Sequence, residues 1–238
     1  MACALCQQNK KLCDSHIISE LFYKPLYDQK HCFTAVHSDT ARITYHQKGF
    51  KERLLCAGCE QLLSKHEKYV GNILSNQYPS INKAKVGDTI KFDINYKQSR
   101  IFYLSILWRM SISSQKYFKN FSIPSCNEIL RQLVLNEDPG NPNEFGCIIS
   151  APLVNGIFCQ DLFFDPQLLK INGDDVCYVV FGGFSHIFMI PFNHNQNIIS
   201  QSFIQQNNKW LIFISDAQKE PFVNKRLKAA QKILNKNP

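Results

Sequence analysis

The sequence predicts an α+β protein. Its N-terminal domain is organised around four cysteines, and its C-terminal domain is a mixed α/β domain with a mainly antiparallel sheet. Two Cys-x-x-Cys pairs, at residues 3–6 and 56–59, bracket the first part of the chain. A long amphipathic run follows the second pair, and short β-rich runs separated by turn residues fill the last part. We therefore expect one domain over residues 1–80 and a second over residues 86–238.

Tight turns and short strands are predicted to precede one long helix in the first domain. Residues 3–6 fit a knuckle turn, and residues 16–19 are apolar enough for a short strand that enters a packed site. Residues 19–27 suit a helical turn that Pro25 keeps short. Residues 31–49 are polar, and we expect them to be irregular.

The long helix is predicted from about residue 57 to residue 74, because apolar residues recur there at helical spacing. Cys59 and His66 fall on the inward stripe of this helix, whereas Lys65 and Lys68 fall on the opposite side. The second cysteine pair therefore lies in the first turn of a helix that packs against the rest of its domain.

Beyond a linker at residues 78–87, helices and strands are mixed. The predicted helices cover residues 101–118, 127–135 and 221–235. The predicted strands cover residues 89–96, 147–151, 176–181, 186–192, 198–204 and 210–215. Gly182-Gly183 and residues 206–208 are predicted to form hairpin turns.

Composition and charge narrow the functional classes. The chain is 45% hydrophobic and 19% charged, which is typical of a globular protein and excludes a disordered one. The net charge of +8 favours a polyanionic partner such as nucleic acid. Ten cysteines without an apolar leader indicate a reducing compartment, so we expect a cytoplasmic protein. Its apolar runs are too short or too interrupted to span a membrane.

The four paired cysteines predict a structural Zn²⁺ site. Four thiolates can close a tetrahedral site, because a two-residue spacer lets one turn deliver both sulfurs of a pair. The ligands would be Cys3, Cys6, Cys56 and Cys59, and the order of knuckle, strands and helix is the treble-clef arrangement. Two alternatives remain open. The four thiols could be buried and metal-free, or Cys13 and His16 could replace one pair of ligands.

At this point the chain resembles the HNH endonuclease superfamily in its zinc-bound form, a ββα-metal fold. The resemblance rests on CALC at residues 3–6, SHIIS at 15–19 and LLCAGCE at 54–60, and it covers about the first third of the chain. It implies a metal-dependent nuclease that cuts phosphodiester bonds, most often in DNA. Loosely, it extends to nucleases of conflict between bacteria and phages, which implies a role in antiphage defence.

The resemblance also implies roles for individual residues. His16 would be the general base that activates water, and Glu60 would occupy the position of a ligand to a catalytic Mg²⁺ or Mn²⁺. Lys48, Lys51 and Arg53 precede the second pair, where they could contact phosphates or form an ordinary solvated strand face. Residues 86–238 could sense a ligand, form a homodimer, bind a partner protein or grip the substrate.

Three serines depart from the family pattern. Ser15 stands where the family commonly has an acidic or histidine ligand, Ser19 replaces the usual proline, and Ser64 replaces a second helical ligand. Asp14 could help only if the strand bulged. These departures favour an alternative function, namely a catalytically inactive zinc module that binds nucleic acid or a protein partner.

The remaining polar and sulfur-bearing residues are predicted to be structural. We expect His66 in the core, Glu67 beside a strand or a basic residue, and His37 and His46 in solvent. Trp108 and Arg109 are predicted to pack against the first domain or the sheet. The closing basic residues could form a nucleic-acid footprint, but the sequence favours a solvated helix face; they are Lys219, Lys225, Arg226, Lys228, Lys232 and Lys236. The four later cysteines are predicted to be buried thiols: Cys126, Cys147, Cys159 and Cys177.

Overall fold

The computed structural model describes residues 1–37, 42–171, 173–190 and 198–235 of a mixed α/β protein with a mainly antiparallel sheet. The N-terminal segment contains two separate two-stranded ribbons and one long helix. Strand β1 pairs antiparallel with β4, and β2 pairs antiparallel with β3. The bounds are β1 Leu12–His16, β2 Cys32–His37, β3 Arg42–Gln47, β4 Lys51–Cys56 and α1 Ala57–Ile81.

Within the described residues, the C-terminal segment is a seven-stranded sheet with three α-helices. The strand order is β5-β11-β6-β10-β9-β8, with β7 beside β6, and every pairing is antiparallel except that of β11 with β6. The strands are β5 Thr89–Asp93, β6 Cys147–Val154, β7 Ile157–Phe158, β8 Phe164–Ile171, β9 Asp174–Phe181, β10 Phe184–Ile190 and β11 Lys209–Asp216. The helices are α2 Tyr96–Ile112, α3 Pro124–Leu135 and α4 Pro221–Leu234.

Several predicted elements are confirmed with shifted ends. Helix α1 runs through Pro79 to Ile81, so the first residues of the predicted linker are helical. Helix α2 begins earlier than predicted, because the side chain of Asn95 accepts a hydrogen bond from the backbone nitrogen of Gln98 at 3.0 Å and caps the helix there. The Gly182-Gly183 turn joins β9 to β10 as predicted.

The predicted strand over residues 198–204 is wrong. Residues Ile198–Ser202 form a 3₁₀ helix, and the turn at residues 206–208 leads into β11 without a preceding partner strand. Strand β11 already pairs with β5 on one side and β6 on the other, so no free edge is left for a hairpin neighbour. The predicted strand over 186–192 ends at Ile190, and its last two residues lie outside the described residues.

Residues 31–49 are not irregular, because they contain the β2–β3 ribbon. Phe33 and Ala35 are buried, whereas Thr34 between them and Tyr45 opposite Thr34 are exposed. This is the period of two that a half-buried strand shows. The polar residues on the outer side concealed it in the sequence. Strands β7 and β8 were not predicted either.

The hydrophobic core crosses between the two segments. One connected cluster of buried apolar residues includes Leu63 and Val70 of α1, Leu104 and Trp108 of α2, and Ile149 of β6. The division into domains at residues 80 and 86 stays a prediction. Because this cluster contains residues of both segments, the elements around the four cysteines pack against α2.

Helix α2 carries a buried arginine that joins the segments. Arg109 is 1% exposed; its Nη1 donates to the carbonyl oxygen of His16 at 2.8 Å, and its Nη2 donates to Glu67 Oε1 at 2.6 Å. The predicted packing of Arg109 against the first domain and the structural role of Glu67 are thereby confirmed. In α3, Arg131 Nη1 similarly donates to the carbonyl oxygen of Leu5 at 2.6 Å, between the first two cysteines.

We predict that Arg109→Gln lowers the free energy of unfolding by about 3–5 kcal/mol, because it leaves the Glu67 carboxylate and the His16 carbonyl without their donor. The measurement is urea denaturation followed by circular dichroism. The matched control is Arg53→Gln, which removes an exposed arginine 3.7 Å from Asp14 and is expected to cost less than about 1 kcal/mol. Equal losses in the two variants would contradict the role given to Arg109.

Candidate metal centre and candidate base

A tight turn presents the first two cysteines. The backbone nitrogen of Gln7 donates to the carbonyl of Cys3 at 2.8 Å, which closes the turn that carries Cys3 and Cys6. The backbone nitrogen of Ala4 donates to Leu54 of β4 at 3.0 Å, so the turn lies against the strand that leads to the second pair. Cys56 ends β4 and caps α1, and one helical turn then brings Cys59 round to the same point.

The four sulfurs meet in one place. The Sγ atoms of Cys3, Cys6, Cys56 and Cys59 all lie within 4.8 Å of one another, and those of Cys6 and Cys56 are 3.9 Å apart. Tetrahedral Zn²⁺ with bonds of about 2.3 Å needs sulfurs about 3.8 Å apart. This group could therefore hold a metal such as zinc. Cys13 and His16 do not belong to it, so the exchange of ligands left open above is not seen.

Hydrogen bonds and burial act on these thiols in opposite directions. Burial would raise the pKa of the Cys3 thiol, but backbone hydrogen bonds outweigh it and lower the pKa to about 7. One of these donors is the backbone nitrogen of Cys56, 3.3 Å from Cys3 Sγ. Burial and the three neighbouring sulfurs raise the pKa of the Cys59 thiol. A divalent cation would relieve this conflict, because it replaces thiol protons when it binds.

The ring of His16 is held by a backbone carbonyl. Its Nε2 lies 2.9 Å from the carbonyl oxygen of Lys48. A carbonyl oxygen only accepts hydrogen bonds, so Nε2 must carry the proton and donate it. In the neutral ring this leaves the lone pair on Nδ1, which makes no hydrogen bond within the described part of the chain. The half-buried His16 is thus oriented by one nitrogen and able to accept a proton at the other.

A turn between the two ribbons places that carbonyl. Lys48 and Gly49 both have positive φ, at 63° and 72°. A Cβ atom on Gly49 would lie 2.8 Å from Cδ2 of Tyr23, so only glycine fits between the turn and this ring. Tyr23 in turn lies 6.2 Å from His16, centroid to centroid. The sequence did not predict the interaction of His16 with Lys48. Its one signal in the sequence is Gly49, which marks a turn between β3 and β4.

Positive charge borders His16. Lys51 pairs with His16 across the β1–β4 ribbon, and Arg53 pairs with Asp14. Directly opposed residues project on the same side of a ribbon, so Lys51 and Arg53 share the face of His16. Burial, followed by the charge of Lys51, lowers the pKa of His16, which leaves the imidazole neutral at pH 7.

Glu60 carries a buried oxygen without a partner. Its Oε1 is sealed from solvent and makes no hydrogen bond within the described residues. An unpaired buried carboxylate oxygen is costly, because it has lost water without gaining a hydrogen-bond donor. No hydrogen bond or ion pair joins Glu60 to His16 in the described ranges, and these ranges hold no second group of three metal-ligating side chains. The structure therefore does not bring the two predicted catalytic residues into direct contact.

The serines that depart from the family pattern are structural. Ser15 is fully buried, and its Oγ accepts a hydrogen bond from the backbone nitrogen of Leu55 at 3.0 Å. It lies opposite Glu52 in the ribbon, on the other side from His16. Ser19 is buried, and the exposed Ser64 donates to the carbonyl of Gln61 within α1 at 3.0 Å.

The other predicted histidines take different places. His66 lies in the core as predicted, with Nε2 2.9 Å from Glu137 Oε1. His46 is not in solvent, because its half-buried ring packs 4.7 Å from that of Phe50. The side chain of His37 lies outside the described residues.

The later cysteines and the closing basic residues mostly match their predictions. Cys126, Cys147 and Cys177 are buried, whereas Cys159 is half-buried. Arg226 is not solvated, because it is 8% exposed and pairs with Asp165 at 2.9 Å. Lys236 lies outside the described residues. The other four lysines of this group are exposed: Lys219, Lys225, Lys228 and Lys232.

We predict that the purified chain carries one zinc per molecule and that Cys59→Ser loses it. Because metal binding and folding are coupled at such sites, the melting temperature should fall by about 10 °C or more. Elemental analysis and thermal melting measure the two effects. Cys13→Ser, which alters a half-buried thiol outside the cluster, should keep both the zinc and the melting temperature. Retention of zinc and stability by Cys59→Ser would argue against Cys59 as a ligand, and absence of zinc from the wild-type chain would argue against a metal centre.

We predict that the imidazole of His16 titrates below pH 6.5 and that Lys51→Gln raises this pKa, because it removes the nearby positive charge. The measurement is the pH dependence of the histidine NMR signals, with His16→Ala used to assign the resonance. Lys219→Gln serves as the control and should leave the titration unchanged. A pKa above 6.5, or one indifferent to Lys51, would contradict the assigned electrostatics.

Comparison with known proteins assigns no family. No protein-family profile, no curated protein and no solved structure matches the chain. Among the helices of the described residues, none combines the length and apolar character needed to cross a membrane. Functional inference therefore depends on the geometry of the cysteines and of His16.

Proposed function

We propose that this chain is a metal-dependent endonuclease that hydrolyses phosphodiester bonds in DNA, built on a zinc-stabilised treble clef of the HNH type. The observation that carries the proposal is the orientation of His16. Its Nε2 is occupied by the Lys48 carbonyl at 2.9 Å, and its Nδ1 lone pair is left to act as a base. A polar, half-buried, neutral imidazole is what a general base at pH 7 requires.

The proposed reaction begins with proton transfer to His16. Nδ1 accepts a proton from water, the water oxygen forms a bond to phosphorus, and the bond from phosphorus to the leaving oxygen breaks. The leaving oxygen takes a proton from solvent water, and His16 later returns its proton to solvent. Lys51 and Arg53, on the same face, supply positive charge for the phosphates on either side. Only neutral His16 accepts the proton, so hydrolysis is expected to be lost as the pH falls through its lowered pKa.

Metal ions have two separate roles in this proposal. Zn²⁺, held by the four cysteines, stabilises the fold. Mg²⁺ or Mn²⁺, when bound, would neutralise charge on the scissile phosphate. Glu60 is the residue of this chain proposed to hold it, because its buried oxygen has no protein partner in the described residues. Water and the substrate would supply the other ligands.

A second candidate function is a non-catalytic zinc module that binds nucleic acid or a protein. The burial of Ser15 and its bond to Leu55 favour it, since this side chain is unavailable as a ligand. So does the lack of a second group of three ligating side chains among the described residues. The two functions differ in one respect, which is whether His16 is needed for hydrolysis.

We predict that the wild-type chain nicks or cuts plasmid DNA in the presence of Mg²⁺ or Mn²⁺, and that His16→Ala slows this about 10²- to 10⁴-fold, as expected for loss of a general base. His31→Asn is the matched control. His31 is exposed and has a positive φ of 56°, a conformation that asparagine tolerates. Its activity should stay close to wild type. Equal cleavage by wild type and His16→Ala, or none by either across pH and metals, would remove the hydrolytic assignment in favour of the binding module.

A further inference from the structure

A cavity lies between the β2–β3 ribbon and helix α4, away from the cysteines. Its volume is about 420 Å³, within the range of small-molecule sites. Residues of several elements line it: β2 contributes Phe33, α4 contributes Leu227 and Ala230, and the segment that leads into β8 contributes Phe163. The β2–β3 ribbon and helix α4 therefore both form part of its wall.

The lining has a distinct chemistry. Four aromatic rings contribute to it, those of Phe33, Tyr117, Phe163 and Phe164. The one charged side chain in the lining is the exposed Asp161, and no lysine or arginine is present there. An aromatic wall favours a flat ring, and a carboxylate favours a hydrogen-bond donor while it repels phosphate. The carboxylate disfavours an anion, and among uncharged occupants the one that fits is a planar heterocycle with an amino group.

The surroundings match a nucleic-acid strand. Thr34 lines the cavity and pairs across the ribbon with Tyr45, whose side chain is 79% exposed and available for stacking. On α4, the exposed Lys228 follows Leu227 of the cavity wall, and Lys225 and Lys232 continue the positive charge along the same helix. Phosphates of a bound strand would thus meet lysines outside the cavity, while a base could enter it.

The cavity is connected to the candidate base through packed rings. Phe163 lies 4.9 Å from Tyr23, and Tyr23 lies 6.2 Å from His16, centroid to centroid. Tyr117 similarly lies 4.3 Å from Phe50, whose carbonyl oxygen accepts a hydrogen bond from Ile17 next to His16 at 3.1 Å. An occupant of the cavity would therefore hold a strand at a fixed offset from His16.

We propose that this cavity binds one unpaired nucleobase bearing an exocyclic amino group, with Asp161 accepting a hydrogen bond from that group. The inference rests on the proposed function for its biological meaning, since it names the part of the substrate that sets where cleavage occurs. The same chemistry is offered by a free nucleoside and by a base in a strand, so both sources are tested.

The test is binding to the full-length His16→Ala chain, which cannot hydrolyse its ligand in the proposed mechanism. Calorimetry compares adenosine with purine riboside, which lacks only the amino group. Fluorescence anisotropy compares a single-stranded oligothymidylate that contains one deoxyadenosine with the same strand that contains deoxypurine riboside. We expect at least tenfold tighter binding of the amino-bearing member in one or both pairs, and Asp161→Asn should remove that preference.

Two matched variants locate the site. Ala230→Phe fills the cavity and should weaken binding at least tenfold, whereas Ser75→Phe places the same ring on the exposed face of α1, outside the cavity lining, and should not. Asp93→Asn, an exposed carboxylate on β5, is the control for Asp161→Asn. Thermal melting checks that each variant folds.

Preference only for free adenosine would identify a small-molecule ligand, and preference only for the strand would identify an unpaired base; both support the site. Absence of binding in both pairs, equal binding with and without the amino group, or equal effects of the two phenylalanine variants would overturn it. These experiments measure binding and not cleavage. Their outcome therefore does not depend on whether the chain hydrolyses DNA.

Discussion

The buried guanidinium of Arg109 is the contact on which the rest of the arrangement depends. It lies inside the core at 1% exposure and bonds both the His16 carbonyl and the Glu67 carboxylate. The guanidinium is planar and presents several N–H donors in fixed directions, so it can bond two acceptors on different elements at once. The single ammonium group of a lysine lacks this fixed geometry. This residue of α2 therefore fixes the relative positions of three elements: α2 itself, the end of β1 and the middle of α1. Arg131 does the same for the cysteine turn through Leu5.

The cysteine cluster and the histidine differ in what holds them. The four sulfurs come together where a turn, a strand end and the first turn of a helix converge on one point. His16 lies in a strand that pairs with the strand ending at Cys56, but its ring is set by a carbonyl that lies 32 residues further along the chain. The second interaction requires the whole turn around Lys48 and Gly49, including the close approach of Tyr23 to the glycine. The candidate base therefore depends on more of the fold than the metal centre does.

The C-terminal segment is more than an appendage in this structure. Its helices α2 and α3 hold the His16 strand and the cysteine turn, and its helix α4 closes the aromatic cavity against the β2–β3 ribbon. The apolar core runs without a break from α1 through α2 to the sheet. The two segments therefore share one core, and residues of both line the aromatic cavity.

The sequence by itself determined the cysteine cluster, helix α1 and most strands of the large sheet. These depend on spacing, helical periodicity and β-branched runs, which are local properties. It also pointed to His16, but through a resemblance that no comparison supports. Its error at residues 198–204 arose because strand pairing is decided by which edges are free, and β11 had none left.

Only the tertiary structure decided which nitrogen of His16 bonds the Lys48 carbonyl, that Ser15 faces the core, and that Arg226 is buried in an ion pair. These outcomes depend on contacts between residues far apart in the chain, and no local pattern encodes them.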